Sequence, residues 1–268
     1  MPTLLPCHPT PRDHLIIPDQ HVVPGDNLRR FVALGNYIAQ HQPPVIVNLG
    51  DMVDMASLSS YDAGKKEFVF QNVQDDIESM HLAEDVMFAA MHQLNRRLAK
   101  DKKAQYNPLY IKLNGNHEYR LAKLLEYEPR WASKSINMDA FNTRQKVDEL
   151  VVPYMDFIRC DGVHYSHCWA SGVMGRPVAN AKAILAKKGV SATMGHSHTL
   201  DAASLTRPDG SMIRGLIAGC FIDEETKGFG GPQVDLIYWR GVLHKHNVFD
   251  GNYDLEEISI RRLLENYL

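Results

Sequence analysis

The sequence predicts an α/β protein on three observations. A strand, helix, strand order opens the chain, polar residues follow successive short apolar runs, and the C-terminal third is rich in short strand-like segments. His14-Leu15-Ile16-Ile17-Pro18 is an apolar run ending in Asp19-Gln20-His21, the pattern of a buried strand that delivers polar residues at its end. Residues 27 to 41 read as a helix, because Leu28, Phe31, Val32, Leu34 and Ile38 share one broad face and Pro43-Pro44 stops it. Val45 to Leu49 is a second strand running into Gly50-Asp51.

A long helix is expected over roughly residues 75 to 100, with Ile77, Met80, Met87, Met91, Leu94 and Leu98 at three- and four-residue spacing. Asp75, Asp76 and Glu78 open it, and Arg96, Arg97 and Lys100 close it, as the helix dipole favours. That basic end reads as a solvated terminus rather than a phosphate-backbone contact. Leu109 to Leu113 is a third strand, ending in Asn114-Gly115-Asn116-His117-Glu118, and residues 120 to 150 read as irregular helix broken by Pro129. Strands are expected near 162 to 167, 190 to 194, 212 to 220 and 233 to 248, with one helix near 178 to 188. Val234 to Tyr238 and Gly241 to Val248 read as a hairpin of a second sheet, and Leu255 to Leu268 as a closing strand or short helix.

Composition bounds the function. With 268 residues, 44% hydrophobic and 23% charged, the chain has ordinary globular character. A formal charge of −3 excludes a global positive field drawing it to nucleic acid or an anionic membrane. Cys7, Cys160, Cys168 and Cys220 form no C-x-x-C pair, which argues against a zinc ribbon or a thioredoxin-like redox site. Arg12 and Asp13 stand where a secretory apolar stretch would lie, and no apolar run reaches the roughly 18 residues of a membrane span, so a cytoplasmic location is expected.

Histidine is the compositional outlier, with 13 residues. Several of them lie in five polar clusters that follow strands: Asp19-Gln20-His21, Gly50-Asp51-Met52-Val53-Asp54, Gly115-Asn116-His117-Glu118, His167, and Gly195-His196-Ser197-His198. Ligands bind beyond the C-terminal ends of strands in open α/β sheets, so these clusters are expected to converge. Carboxylate, imidazole and amide donors without thiolate suit a hard or borderline divalent ion. Their number suits two ions better than one, because a single ion would be over-supplied with water still bound.

In these motifs the sequence resembles the calcineurin-like metallophosphoesterases, whose pattern runs Asp-x-His, Gly-Asp-x-x-Asp, Gly-Asn-His-Asp/Glu, a lone His, then Gly-His-x-His. The match covers residues 19 to 198. At average residue usage, its four patterned motifs would occur in this order by chance on the order of once in a million or less. The resemblance implies that Asp19, His21 and His198 hold one metal, that Asn116, His167 and His196 hold the other, and that Asp51 bridges them. It implies hydrolysis of a phosphate ester by in-line attack of a hydroxide between the ions, with His117 as general acid and Asp54 orienting its ring. Manganese is the expected metal, with Fe, Zn, Ni or Co as alternatives. Two ions against two carboxylates leave the site at about +2, attractive to phosphate. The implied fold is a two-sheet β-sandwich flanked by helices, one domain over residues 1 to 268, with helical inserts at about 56 to 107 and 119 to 158 that could cap the site.

Departures refine the expectation. Met55 stands where the family's protein phosphatases carry a phosphate-holding Arg, and those enzymes lack the Gly-His-x-His pair. Both points favour the branch resembling phosphodiesterases of cyclic nucleotides and DNA-repair nucleases, with phosphomonoesters as the alternative substrate and a non-catalytic scaffold as the remote one. Cys168 takes the place of the usual Gly after the lone His. Arg120, one turn beyond His117, is a candidate phosphate contact, and Arg130, Trp131, Phe141 and Arg144 are candidates for base stacking and phosphate binding. His167 is preferred to His164 as the ligand because it lies at the strand end. His8, His14, His41, His81, His92, His244 and His246 are expected in surface or satisfied structural roles. The glycine-rich stretch Gly228 to Pro232 reads as a wide turn, since no helix opening with Lys-Ser or Lys-Thr follows.

Overall fold

The computed structural model describes residues 2–59, 72–133, 136–223 and 232–268. Its elements in chain order are β1 (Thr3–Leu4), β2 (Arg12–Ile17), α1 (Arg29–His41), β3 (Val45–Asn48), α2 (Val73–Lys100), β4 (Leu109–Leu113), α3 (Glu118–Tyr127), β5 (Asp148–Val152), β6 (Ile158–Cys160), β7 (Val163–Tyr165), α4 (Ala181–Lys188), β8 (Ala192–Met194), β9 (Leu200–Thr206), β10 (Met212–Ala218), α5 (Pro232–Asp235), β11 (Gly241–Phe249), β12 (Asn252–Ser259) and α6 (Ile260–Tyr267). Among the described residues the strands form two six-stranded mixed sheets, ordered β12-β11-β2-β3-β4-β5 and β1-β6-β7-β8-β10-β9.

Period-two alternation sorts the first sheet's side chains into two cores. Leu15 and Ile17 of β2 pack with Phe31 and Leu34 of α1 and Met80 and Met87 of α2. Ile16, between them in sequence, faces the second sheet with Val45, Val47, Ile111, Tyr165 and Leu216. On the far side, Ile184 of α4 packs against Ala192, Met194 and Ile217. The layers are therefore helix, sheet, sheet, helix. Gly35 lets α1 approach α2, because a Cβ there would run into the Met87 carbonyl. Asn72 caps α2 by accepting the Asp75 N–H, and acidic and basic residues occupy its first and last turns as expected.

The segments expected as inserts contribute to the layers themselves. From the first, α2 packs along α1 against the sheet; from the second, 119 to 158, come nearly all of α3 and the strand β5, and its last residue opens β6. A buried ion pair fastens α2 to the sheet: Lys112 Nζ lies 2.7 Å from Glu84 Oε1 and donates to the Phe141 carbonyl at 2.6 Å.

The C-terminal third departs from the expectation. Val234 to Tyr238 is not a strand, since Pro232–Asp235 forms the short α5. The hairpin is β11–β12, with Phe249 opposite Asn252 across Asp250-Gly251, whose φ values of 45° and 81° are those of a tight two-residue turn. It extends the first sheet, antiparallel to β2, rather than supplying the second. Residues 255 to 268 then hold both the end of β12 and α6. Gly228 to Gly231 lie outside the described residues. All four cysteines are free, three of them buried. No helix among the described residues is long and apolar enough to cross a membrane.

Candidate metal centre

Strands β2, β3 and β4 run parallel, with Ile17 opposite Asn48 and Asn48 opposite Lys112, so the loops leaving them share one end of the sheet. β7 and β8 are parallel in the other sheet and deliver His167 and the loop of His196 and His198. Backbone bonds lace these loops together. Gln20 and His21 N–H both donate to the Asp51 carbonyl at 2.9 Å, and Gly195 N–H donates to the His167 carbonyl at 3.1 Å.

The side chains meet in two sets. In one, His198 Nε2 lies 3.3 Å from Asp19 Oδ2 and 3.0 Å from His21 Nε2. In the other, Asn116 Oδ1 lies 3.0 Å from His167 Nε2 and 2.8 Å from His196 Nδ1. Asp51 stands between them, its Oδ2 3.3 Å from His167 Nε2 and 3.9 Å from His21 Nε2. Three overlapping groups, Asp19/His21/His198, His21/Asp51/His117 and Asp51/His167/His196, are each able to hold a metal ion. Asp19 Oδ1 is buried and makes no hydrogen bond, as suits a ligand atom. His167 Nδ1 lies 2.9 Å from the Leu49 carbonyl, which takes its proton and leaves Nε2 facing the cluster.

Backbone geometry adds a constraint. His21, Asp51, His196 and His198 have φ of 46°, 47°, 67° and 57°, the left-handed region that non-glycine residues seldom occupy. Seven other non-glycine residues share this region, Gln42, Met55 and Lys102 among them, but four of the seven candidate ligands hold it at once, a local geometry imposed by the surrounding fold. The motif glycines give these residues room. A Cβ on Gly115 would strike the Asp51 carboxylate, and one on Gly195 would strike Asp19 Oδ1.

Electrostatics follow from burial. Burial would raise the Asp51 pKa, yet His167 and His117 outweigh it and hold the carboxyl well below its usual range. Asp19 is likewise lowered, where the His198 hydrogen bond and His167 overcome burial. Burial would lower His167, but Asp51 lifts it to about 10; His117 rises against burial to about 9 beside Asp51 and Asp54. Burial does prevail at His21, which falls to about 4. Protons on His167 and His117 thus balance the carboxylates when no cation does, and metal binding must displace the one on His167.

His117 and Asp54 sit at the rim. His117 Nδ1 is 2.9 Å from Asp54 Oδ1 and 2.6 Å from the Asp54 carbonyl, leaving Nε2 towards the cluster, 3.9 Å from Asp51 Oδ2. Arg120 Nη1 donates to the Asp54 and Met55 carbonyls at 2.8 and 3.3 Å, and Nη2 lies 3.4 Å from His117 Nε2. His164 is elsewhere, with Nδ1 3.3 Å from the Ser191 carbonyl.

A cleft of about 340 Å³ opens over the ligands, lined by His21, Asp51, Asn116, His117 and the 196–198 loop, with Val234, Ile237 and Tyr238 as its apolar wall. Arg130, Trp131, Phe141 and Arg144 are not among its walls. Phe141 is in the core, Arg144 pairs with Glu78, and Arg130 and Trp131 both bond to Glu128. A larger cleft of about 930 Å³, beside the end of α2, contains none of the candidate ligands.

Sequence reasoning missed two features. Tyr238, whose ring meets His198 edge-on at 4.6 Å, lies in a segment read as a strand. Glu118 accepts the N–H groups of Asp51, Met52, Val53 and Gly115 at 2.7–3.3 Å, so it knits two motif loops together. Its place in the Gly-Asn-His-Glu motif was the available signal. No family model matches the chain, and no curated protein matches it.

Proposed function

We propose that the chain is a phosphoesterase dependent on two divalent metal ions, of the calcineurin-like type, acting on phosphodiesters of nucleotide or nucleic-acid character. One observation carries the reading: seven oxygen and nitrogen donors from five loops converge in two sets with Asp51 between them. Asp19, His21 and His198 would hold one ion and Asn116, His167 and His196 the other, with Asp51 shared; manganese suits these donors. Such ions, when bound, lower the pKa of water and offset charge on phosphoryl oxygens.

The chain's own residues supply the rest. The cleft admits a phosphate ester, and the Val234, Ile237 and Tyr238 wall faces its organic group. As the phosphorus–oxygen bond to the leaving group breaks opposite the entering water oxygen, His117 Nε2 gives its proton to the departing oxygen. Asp54 holds the ring through Nδ1 and stabilises its charged form. Arg120, through the Asp54 and Met55 carbonyls, fixes the loop that carries Asp54. The diester preference rests on Met55 in place of an Arg and on the Gly-His-x-His pair.

A hydrolysis panel with added Mn²⁺ tests this: bis-p-nitrophenyl phosphate, p-nitrophenyl phosphate, cyclic nucleotides, and single- and double-stranded DNA and RNA, with Asp51→Asn as the inactive control. Turnover of diesters above monoesters is expected. Absence of turnover on every substrate, with two equivalents of metal bound, would sink the assignment.

A further inference from the structure

We propose that Asp13, His244 and His246 form a separate site for one zinc ion at the other end of the same sheet. Asp13 lies six residues before Asp19 on the strand path, which at the rise of a strand is about 20 Å from the candidate centre. His244 and His246 are two apart on β11, so they share a face, and their rings stack with centroids 4.1 Å apart. Antiparallel pairing of β11 with β2 brings Asp13 beside them on the helix-facing side.

Each of the three groups has one donor atom committed elsewhere and one turned inward. His244 Nδ1 lies 2.6 Å from the Tyr37 hydroxyl of α1, which can take its proton. Its Nε2 is buried without a hydrogen bond, 3.4 Å from Asp13 Oδ2. His246 Nε2 faces Glu256 Oε2 at 3.1 Å, and Glu256 is itself held by Arg262 at 2.8 Å; the other ring atom, Nδ1, is 3.1 Å from Asp13 Oδ2. Asp13 Oδ1 accepts the Asn247 N–H at 2.9 Å, which leaves Oδ2 for the cluster. A carboxylate or hydroxyl behind each histidine is the outer arrangement that fixes tautomer and aim in metal sites.

The spacing suits zinc. Bonds of about 2.0–2.1 Å in a tetrahedron put neighbouring ligand atoms about 3.3 Å apart. The two Asp13 distances, 3.4 and 3.1 Å, fall on either side of that value. Two imidazoles and one carboxylate leave a fourth position for water, and the exposure of Asp13 and His246, 36% and 34% at the side chain, opens the site to solvent. The ion would tie β2 to β11 and, through Tyr37, to α1. These histidines read from sequence as surface or structural residues.

Zinc content after equilibrium dialysis against Zn²⁺ tests the site, in the otherwise unaltered protein and in the Asp51→Asn background. His246→Gln and Asp13→Asn are each expected to lose one equivalent in both backgrounds, while Tyr37→Phe retains it with about 10–100-fold weaker affinity. Thermal melting identifies a variant that has failed to fold, and the other then decides. Unchanged zinc content in a folded His246→Gln or Asp13→Asn variant would overturn the proposal, and the histidines would then be an ion-pair network between Asp13 and Glu256.

Discussion

Glu118 Oε1 accepts the backbone N–H of Met52 at 2.8 Å, joining the start of α3 to the loop after β3. The same carboxylate takes the N–H groups of Asp51, Val53 and Gly115, so one side chain sets the distance between the loop of Asp51 and the loop of Asn116. Removing it leaves buried donors without partners, at about 1–3 kcal/mol each where water cannot enter. Glu118→Ala should destabilise the protein by about 3 kcal/mol or more in urea unfolding and weaken Mn²⁺ binding about 10–100-fold. Glu118→Gln keeps an oxygen for Met52 but sets an amide N–H₂ against another donor, and should fall between. Wild-type Mn²⁺ affinity in Glu118→Ala would show that the loops do not depend on this clamp.

His117 offers a second test, because general acid catalysis depends on the leaving group. Loss of the acid typically costs about 10²–10⁴-fold. His117→Ala should therefore lower kcat in that range for an alkyl ester, whose leaving oxygen needs a proton. The loss should be much smaller for p-nitrophenyl esters, whose leaving group departs as a stable anion. Metal content should stay at the wild-type level. Equal losses on both substrates would remove His117 from the role of acid.

What could be read in the sequence follows from where each element sits. β2, β3 and β4 are interior strands covered on both faces, so they appear as short, mainly apolar runs, interrupted in β4 only by the buried Lys112, and each leads into a candidate ligand motif. The margins were harder. β1 has two residues and β6 three, too few for any period, and β9 is an edge strand with no buried residue on either face, so it lacks an apolar stripe. Val234 to Tyr238 mimics a strand because it is an apolar run, whereas the true hairpin is marked by the stronger turn signal of Asp250-Gly251. In the site, the family resemblance of the motifs pointed to the candidate ligands, and the fold brings their side chains together. The motif marks Glu118 as a position of interest, but its clamping role is not legible there because its partners are backbone N–H groups, which no side-chain pattern reports. His244 and His246 carry no sequence signal for a related reason: their partner Asp13 is 231 residues away from His244 in the chain and becomes a neighbour only through strand pairing.

Gly195 makes the crowding around Asp19 testable. A Cβ at this position would overlap Asp19 Oδ1, whereas one at Gly210 would meet no atom within 4 Å. Gly195→Ala must therefore displace a candidate ligand, and Gly210→Ala, with φ +85°, brings only backbone strain. The first should lose Mn²⁺ binding and turnover about 10-fold or more while its circular dichroism stays native. The second should lower stability by about 1 kcal/mol with metal affinity unchanged. Native metal affinity in Gly195→Ala would mean that Asp19 is not held where its ligand role requires.

His14 governs a pH dependence that does not involve the candidate metal centre. Its ring lies between the sheets, with Nδ1 2.7 Å from the Tyr165 hydroxyl and Nε2 2.9 Å from Asp161 Oδ2. Neutral imidazole satisfies both, accepting from the hydroxyl at Nδ1 and donating from Nε2. Burial outweighs the attraction of Asp161 and lowers its pKa from 6.5 to about 4. The unfolded chain therefore takes up this proton near pH 6.5, but the folded protein does so only near 4. Stability is complete above the upper value, falls as pH drops through that window by up to about 3 kcal/mol, and levels below the lower one. Asp161 works in the opposite part of the scale: its pKa is depressed against burial by His14 and its other hydrogen bonds, so its contribution is lost only at pH below the ordinary carboxylate range. Gln at position 14 preserves both hydrogen bonds without titrating. Urea unfolding at about pH 7 and about pH 4.5 should show His14→Gln losing about 2–3 kcal/mol less than wild type between the two, and because both proteins carry the same candidate ligands, titration at that centre cancels in the difference. Parallel losses would place the acid sensitivity elsewhere in the fold.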